Sequence, residues 1–265
     1  MTESPYLLDN RKDEAADRFE ALAALYDPIT AGHFDTIGVG AGWRCLEIGA
    51  GGGSVVRHLA ARVGPSGRVL ATDIEPRFLD PLADLDNVDV ARHDIVVDPL
   101  PEAEFDLIHA RLVLVHIAAR LAVIGRLVTA LRPGGWLLIE DADAVISVDV
   151  CLDPQTDDER LANRIRHGLL QMLEKRGVAP DFARGLPRVL RDQGLTDIAG
   201  DAYLPLSPIV RTLERANLLQ LRDEFVEHGI ATDDELERYR ARLDDPEFIP
   251  AGPFVMSAWG RRPAG

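Results

Sequence analysis

The segment Glu47-Ile48-Gly49-Ala50-Gly51-Gly52-Gly53-Ser54 is the part of the sequence best suited to hold a ligand. Glycine takes positive φ without steric penalty and lets a ligand approach the backbone closely. A carboxylate, Glu47, stands directly before the glycines, and two more follow downstream. Asp73 lies 24 residues beyond Gly49, and Asp94 sits in His93-Asp94-Ile95. A carboxylate at the position of Asp73 can accept both hydroxyls of a ribose, and Asp94 is placed to meet an exocyclic amine. Glu47 attracts a cation and repels a pyrophosphate. Taken singly, a strand-end Glu is usually a solvated cap and Asp73 and Asp94 are ordinary turn residues. Their joint placement after successive strands turns the balance toward ligand contact.

A glycine turn alone also suits a nicotinamide dinucleotide. The fingerprint G-x-G-x-x-G needs a small residue at position 54, where Ser54 fits loosely, and Asp73 is common to both cases. Glu47 separates them. A ligand carrying an amino group, a ribose and an adenine matches Glu47, Asp73 and Asp94 better than a pyrophosphate does, and S-adenosylmethionine is such a ligand.

These residues need elements to position them. RCLEI (44–48), RVLATD (68–73), a run near 87–92, FDLIHA (105–110) and WLLIE (136–140) read as strands. Helices are predicted over residues 10–26, ended by Asp27-Pro28, over 54–63, and over 77–83. A further helix buries Leu121, Ile124, Leu127, Val128 and Leu131 and stops at Arg132-Pro133-Gly134-Gly135. This alternation predicts an α/β, doubly wound, mostly parallel sheet. The rhythm breaks after Asp143. Thr156 with Glu159 caps a helix whose stripe is Leu161, Ile165, Leu169, Met172 and Leu173, ended near Lys175-Arg176-Gly177. Another helix spans 207–229, and Thr232 with Glu235 caps a third. Strand-like runs at 197–206 and 252–262 bracket these last two. The expected organisation is a helical lid over residues 1–40, then one sheet domain over 41–265 with helical cap insertions at about 146–185 and 207–246.

The chain has 265 residues, 46% apolar and 28% charged, enough for a sizeable core. Acidic residues outnumber basic ones by 44 to 29, and Lys12 and Lys175 are the only lysines. A net charge of −15 repels phosphate backbones and anionic lipids, so neither nucleic acid nor a membrane surface is an expected partner. Cys45 lies in an apolar run as a small hydrophobe, no metal-ligand spacing is visible, and no signal-peptide pattern or long apolar run occurs. The expectation is a cytoplasmic protein without a metal.

The sequence also resembles the class I S-adenosylmethionine-dependent methyltransferases. The resemblance lies in CLEIGAGGGS (45–54), RVLATDIEP (68–76), RHDI (92–95), FDLIHARLVLVHI (105–117) and LRPGGWLLIED (131–141), ordered and spaced as in that family. In appearance it is nearest to bacterial small-molecule methyltransferases of secondary metabolism. The resemblance implies a Rossmann-like seven-stranded sheet whose last strand is antiparallel. It also implies that Glu47, Gly49, Ala50 and Gly51 surround the methionine moiety, Asp73 the ribose, and Asp94 with Ile95 the adenine. Ile74 packs on the adenine face, and Ala110 and Arg111 lie close to the sulfonium. The product would be S-adenosylhomocysteine.

Methyl transfer from a sulfonium needs an aligned nucleophile about 3 Å from the methyl carbon and exclusion of water. A hydroxyl acceptor gains from a general base, whereas a neutral amine needs none. His116, in the connection after the fourth strand, has a suitable unperturbed pKa, with a structural histidine as the plainer alternative. Asp141 and Glu140 either contact the acceptor or anchor the cap. His109 touches substrate or lies buried in the sheet, and Arg111 binds an anionic acceptor or offsets the carboxylates. His33, His58, His167 and His228 read as surface or packing residues. The stripes at 161–173 and at Leu218, Leu219, Leu221 and Phe225 form core, a homodimer contact through the cap helices, or the wall of a pocket for a bulky, partly hydrophobic small-molecule acceptor of natural-product type. Two other functions remain open: a nicotinamide-dependent oxidoreductase, and a methyltransferase-like protein that binds without chemistry.

Overall fold

Nearly continuous apolar runs, each bounded by glycine or proline, are what a strand covered on both faces requires, and they fold as such. A computed structural model describes Leu8 and residues 14–265; the start of the predicted first helix, residues 10–13, lies outside the described residues. In chain order the elements are α1 (Glu14–Ile37), β1 (Arg44–Ile48), α2 (Ser54–Val63), β2 (Arg68–Asp73), β3 (Val88–Arg92), β4 (Phe105–Arg111), α3 (Arg120–Ala130), β5 (Leu131–Ala142), α4 (Asp157–Lys175), α5 (Leu186–Asp192), β6 (Thr196–Tyr203), α6 (Val210–Glu227), α7 (Asp233–Asp244) and β7 (Val255–Arg261). The seven strands lie in the order β3-β2-β1-β4-β5-β7-β6, with β1 to β5 paired in parallel and β7 antiparallel to β5. The topology reverses between β1 and β4, so their carboxyl ends flank the crevice where such sheets bind ligands.

The chain divides into two compact units. The sheet unit comprises Tyr26–Ala142, Phe182–Ala202 and Val255–Gly265. One face of its sheet packs Cys45, Val69, Leu107, Leu138 and Trp259 against Phe34 of α1 and Val56 and Leu59 of α2. The other packs Leu46, Ile108, Leu137 and Ile139 against Ile124 and Leu127 of α3 and Leu190 of α5. Each fully buried aliphatic side chain contributes about 1.5 to 3 kcal/mol.

The helical unit comprises the described residues up to Leu25, Asp143–Asp181 and Tyr203–Phe254. Thr156 with Glu159 and Thr232 with Glu235 form the capping boxes their sequence predicts, fixing where α4 and α7 begin. Leu161, Ile165, Leu169 and Met172 of α4 pack with Leu218, Leu221 and Phe225 of α6 and Tyr239 of α7. These stripes are therefore this unit's own core. Leu219 is the exception and faces solvent. Inside the core, Arg166 pairs with Glu214, whose Oε2 also accepts from the Tyr239 hydroxyl at 2.7 Å. Among the described residues no helix is long and apolar enough to cross a membrane.

Several elements differ from expectation. α1 does not end at Asp27-Pro28 but continues to Ile37 with Pro28 inside it. An interior proline costs about 3 kcal/mol, and tertiary contacts beyond it outweigh that cost: Phe34 is in the core, and Thr30 and His33 bond buried side chains. The predicted helix at 77–83 is a 3-10 turn, Pro76–Leu82, because Pro81 removes an amide an α-helix would use. In α3 the buried face is Val123, Ile124, Leu127 and Ala130, and Leu121 is exposed. Leu131 already belongs to β5, and α5 had no counterpart in the sequence reading.

The buried polar pair gives a test within the helical unit. Glu214→Leu leaves Arg166 buried without that carboxylate and should destabilise by about 3 to 5 kcal/mol. Replacing Arg166, Glu214 and Tyr239 together by Met, Leu and Phe should cost much less, and urea unfolding of the two variants compares them.

Candidate functional site

Adjacent strands in register place matching residues on one face, and in the sheet unit this produces a polar layer above an apolar one. Glu47 pairs with His109 across β1 and β4, and Glu140 pairs with Ser257 across β5 and β7. Two residues earlier on β1, β4 and β5, the same face carries Cys45, Leu107 and Leu138, with Trp259 beside Leu138 on β7. The change from apolar to polar marks the carboxyl end of the sheet.

His109 has no exposed surface and lies between two carboxylates, with Nδ1 2.6 Å from Glu47 Oε2 and Nε2 3.0 Å from Glu140 Oε2. Burial opposes its charge, but Glu47 and Glu140 outweigh that and hold its pKa at about 9. The ring is therefore an imidazolium donating from both nitrogens. Glu140 also accepts from Thr30 Oγ1, from Ser257 Oγ at 3.0 Å and from His33 Nδ1 at 2.7 Å. Burial would raise its pKa, yet the bonds from His109 and His33 prevail and hold it far below the usual carboxylate range. The other nitrogen of His33 lies 3.0 Å from Asp201, which is half exposed, so the chain of groups reaches the surface. On its other side Arg111 donates to Thr30 at 2.9 Å and to Asp27 at 2.8 Å.

The glycine loop sits beside this layer. Gly49, Gly51 and Gly53 all have positive φ, at 63°, 51° and 77°. A Cβ on Gly49 would come within 2.4 Å of Val113 Cγ2, so only glycine fits. Ala50 N donates to Thr72 O at 3.0 Å, tying the loop to β2. Asp73, at the end of β2, accepts from Gly51 N through Oδ2 and from Glu75 N through Oδ1, both at 2.9 Å. Burial raises its pKa while these amides pull the other way. Each carboxylate oxygen has a second lone pair, so Asp73 shapes the loop and keeps acceptor capacity for a diol.

The remaining sequence-predicted residues divide. Ile74 is half buried beyond Asp73, with its carbonyl accepting from Arg92. Asp94 is half buried and accepts from Val96 N at 2.9 Å, closing its own turn. The Ile95 side chain is in the core, and its carbonyl accepts from Arg126. Ala110 is buried in β4. Arg111 ends that strand and turns toward α1, offsetting carboxylates as its plainer reading holds. His116 is half buried in the turn Leu114–His116. Asp141 is fully buried, and its Oδ2 accepts from Val115 N at 3.2 Å. Burial pushes its pKa up to about 8, against the amides of Val115, Leu114 and Val113. His109 takes the buried alternative, and Glu140 anchors four side chains from three elements. His33, read as a surface or packing residue, is buried and bonded at both nitrogens. The signal for it was Thr30 and His33 at i, i+3 on the helix that also buries Phe34.

The loop, Asp73 and the Glu47 carboxyl group provide a close-approach cradle, a diol acceptor and an acceptor for an amino group, which together suit S-adenosylmethionine. The methyltransferase-domain family matches residues 46–137. The chain is 29% identical to methyltransferase str2 of Strobilurus tenacellus over 226 residues, covering 83% of this chain and 78% of that protein. It is 28% identical to the ubiquinone/menaquinone biosynthesis C-methyltransferase UbiE of Pseudomonas savastanoi pv. phaseolicola over 148 residues, 49% of this chain. There it spans 58% of the relative's length. Among solved structures, Haemonchus contortus phosphoethanolamine N-methyltransferase 2 in complex with S-adenosyl-L-methionine has a TM-score of 0.51 at 16% identity, covering 84% of this chain and 49% of that one. The YcgJ protein of Bacillus subtilis has a TM-score of 0.56 at 14% identity, covering 88% and 97%.

The His109 imidazolium predicts a pH dependence of stability. Its pKa is raised on folding, so its contribution is complete below the unfolded value of about 6.5 and is lost as pH rises through about 9. Thermal midpoints should fall across that interval in the native chain, and fall less over the same interval in His109→Gln.

Proposed function

The chain carries a class I S-adenosylmethionine-dependent methyltransferase domain, and we propose that it methylates an oxygen, nitrogen or carbon nucleophile of a small, partly hydrophobic organic molecule. The observation that carries this reading is the loop of left-handed Gly49, Gly51 and Gly53, whose Gly51 amide is held by Asp73. Gly49, Ala50, Gly51 and Glu47 would hold the methionine moiety, Asp73 the ribose, and Ile74 one face of the adenine. Asp94 and the backbone of Ile95 would meet the adenine edge, and the chain near Ala110 and Arg111 would border the sulfonium. The cofactor supplies an electrophilic methyl group, so the protein's work is orientation and exclusion of water.

The class of acceptor is supported by chemistry outside the loop. The net charge of −15 repels polyanions. One relative is named for ubiquinone and menaquinone biosynthesis, and the Strobilurus methyltransferase is similar over most of this chain. The apolar stripes of α4 and α6 do not argue for a hydrophobic acceptor, since they fill the helical unit's own core. His116 is the group on the turn after β4 that suits proton removal from a hydroxyl acceptor. Asp141 acts as a positioning residue, holding the amides of that turn from behind.

Calorimetric titration tests the reading. S-adenosylmethionine and S-adenosylhomocysteine should bind and NAD should not; binding of NAD alone would overturn it. Asp73→Ala should lower affinity for both adenosyl ligands by at least about tenfold, through loss of a buried acceptor for two hydroxyls. Its circular dichroism spectrum should be that of the native chain.

A further inference from the structure

The polar layer holds more charge than a bound cofactor needs for shape alone. Four carboxylates, Glu47, Glu140, Asp201 and Asp27, are linked to His109, His33 and Arg111, and Asp27 also lies 3.4 Å from His58. Set against Arg111 and the protonated forms of His109 and His33, the four carboxylates leave one negative charge in excess. The excess is available at Glu47, because Glu140 is bonded to four side chains while the Glu47 carboxylate, among the described residues, accepts from His109 alone. Burial pushes the Glu47 carboxyl up, and His109 is the first group that pulls it down.

We propose that His109 is a positioning residue for the cofactor: anchored by Glu140, it fixes Glu47 in one orientation and keeps it anionic, so that the site discriminates the sulfonium cation from the neutral thioether left after methyl transfer. The inference rests on the reading of the glycine loop as the cofactor site. Its physical content is electrostatic. An anion at the end of β1, withdrawn from water, acts on a nearby cation far more strongly than one in solvent. A neutral residue at position 109 would let Glu47 take up a proton or turn away, and the cationic ligand would lose more than the neutral one.

The groups facing His109 set its pH range. Glu47 approaches from β1 and Glu140 from β5. Arg111 follows it on β4, and the Phe34 ring of α1 meets its edge. Behind Glu140 stand Thr30 and His33 of α1, Ser257 of β7 and, through His33, Asp201 of β6. Asp27 and, beyond it, His58 of α2 lie on the Arg111 side. Above a pH of about 9 the ring keeps one N–H for two carboxylates.

Two measurements test the proposal. Nitrogen-resolved NMR of the native chain without ligand at pH 7.5 should show one buried imidazole protonated on both nitrogens that is absent from His109→Gln; a neutral ring would overturn the proposal. Calorimetry then follows the Kd of S-adenosylhomocysteine divided by that of S-adenosylmethionine in the native chain, His109→Gln, Glu47→Gln and the double variant. The ratio should fall by at least about fivefold in each single variant, with no further fall in the double. Equal weakening of both ligands, or additive losses, would make His109 merely structural. If His109→Gln does not fold, the native chain decides: the ratio should fall between pH 7.5 and pH 10, and a flat profile refutes the proposal. Asp73→Ala separates the premise from the inference. If it weakens both ligands while Glu47→Gln leaves the ratio unchanged, the cofactor site stands and the inference falls. If neither ligand binds the native chain, the site reading itself fails and takes the inference with it.

Discussion

A carboxylate removed from water loses several kcal/mol of solvation, and Glu140 is almost wholly removed from it. The rest of the sheet unit is arranged around restoring that loss. Thr30 and His33 come from α1, His109 from β4 and Ser257 from β7, so one side chain ties a helix to three strands. The requirement explains why α1 continues through Pro28. Ending the helix there would withdraw Thr30 and His33 from Glu140 and Asp27 from Arg111, and a charge left buried without partners is more costly than an interior proline.

The same constraint decides what the residues could disclose before the fold was known. Strands β1 to β5 and both capping boxes follow from periodicity and cap chemistry, because apolar runs, glycine and Thr-x-x-Glu act locally, whereas the antiparallel direction of β7 follows from the family resemblance alone. The carboxylates Glu47 and Asp73 stand out as candidates for a related reason: each lies at the end of a recognisable strand. Glu140 and His109 were visible as residue types with two roles each, since choosing between substrate contact and burial needs the register that sets Glu47 beside His109. His33 is marked only by its i, i+3 spacing from Thr30, because its partners lie more than 100 positions away along the chain. Pro28 misled for the converse reason, as a local rule set against distant bonds.

The apolar stripes of α4 and α6 teach a different limit. Helical periodicity identifies a buried face but not what buries it. Leu161, Ile165 and Leu169 meet Leu218, Leu221 and Phe225 within one unit, so their hydrophobicity is used in folding and not in lining a pocket. The acceptor must then be argued from groups at the sheet's carboxyl edge, where function is concentrated in folds of this kind.

At that edge the turn after β4 shows how a site is held without flexible loops. Leu112 sits at a φ of 57°, a conformation non-glycine residues adopt at a cost of order 1 kcal/mol. It is fixed there by its amide donating to Glu140 O at 2.8 Å. One residue further, Val113 fills the space a Cβ on Gly49 would need, and Asp141 holds Val115 from within the sheet. The backbone and side chain of Glu140 thus both act on β4 and the turn that follows it. The carbonyl sets the turn that packs on the glycine loop, and the carboxylate sets the imidazolium that orients Glu47. A substitution at Glu140 keeps the carbonyl and the turn it sets but removes a carboxylate shared by four side chains, whereas a substitution at His109 removes only the link between Glu140 and Glu47, and that is what makes His109 the informative residue.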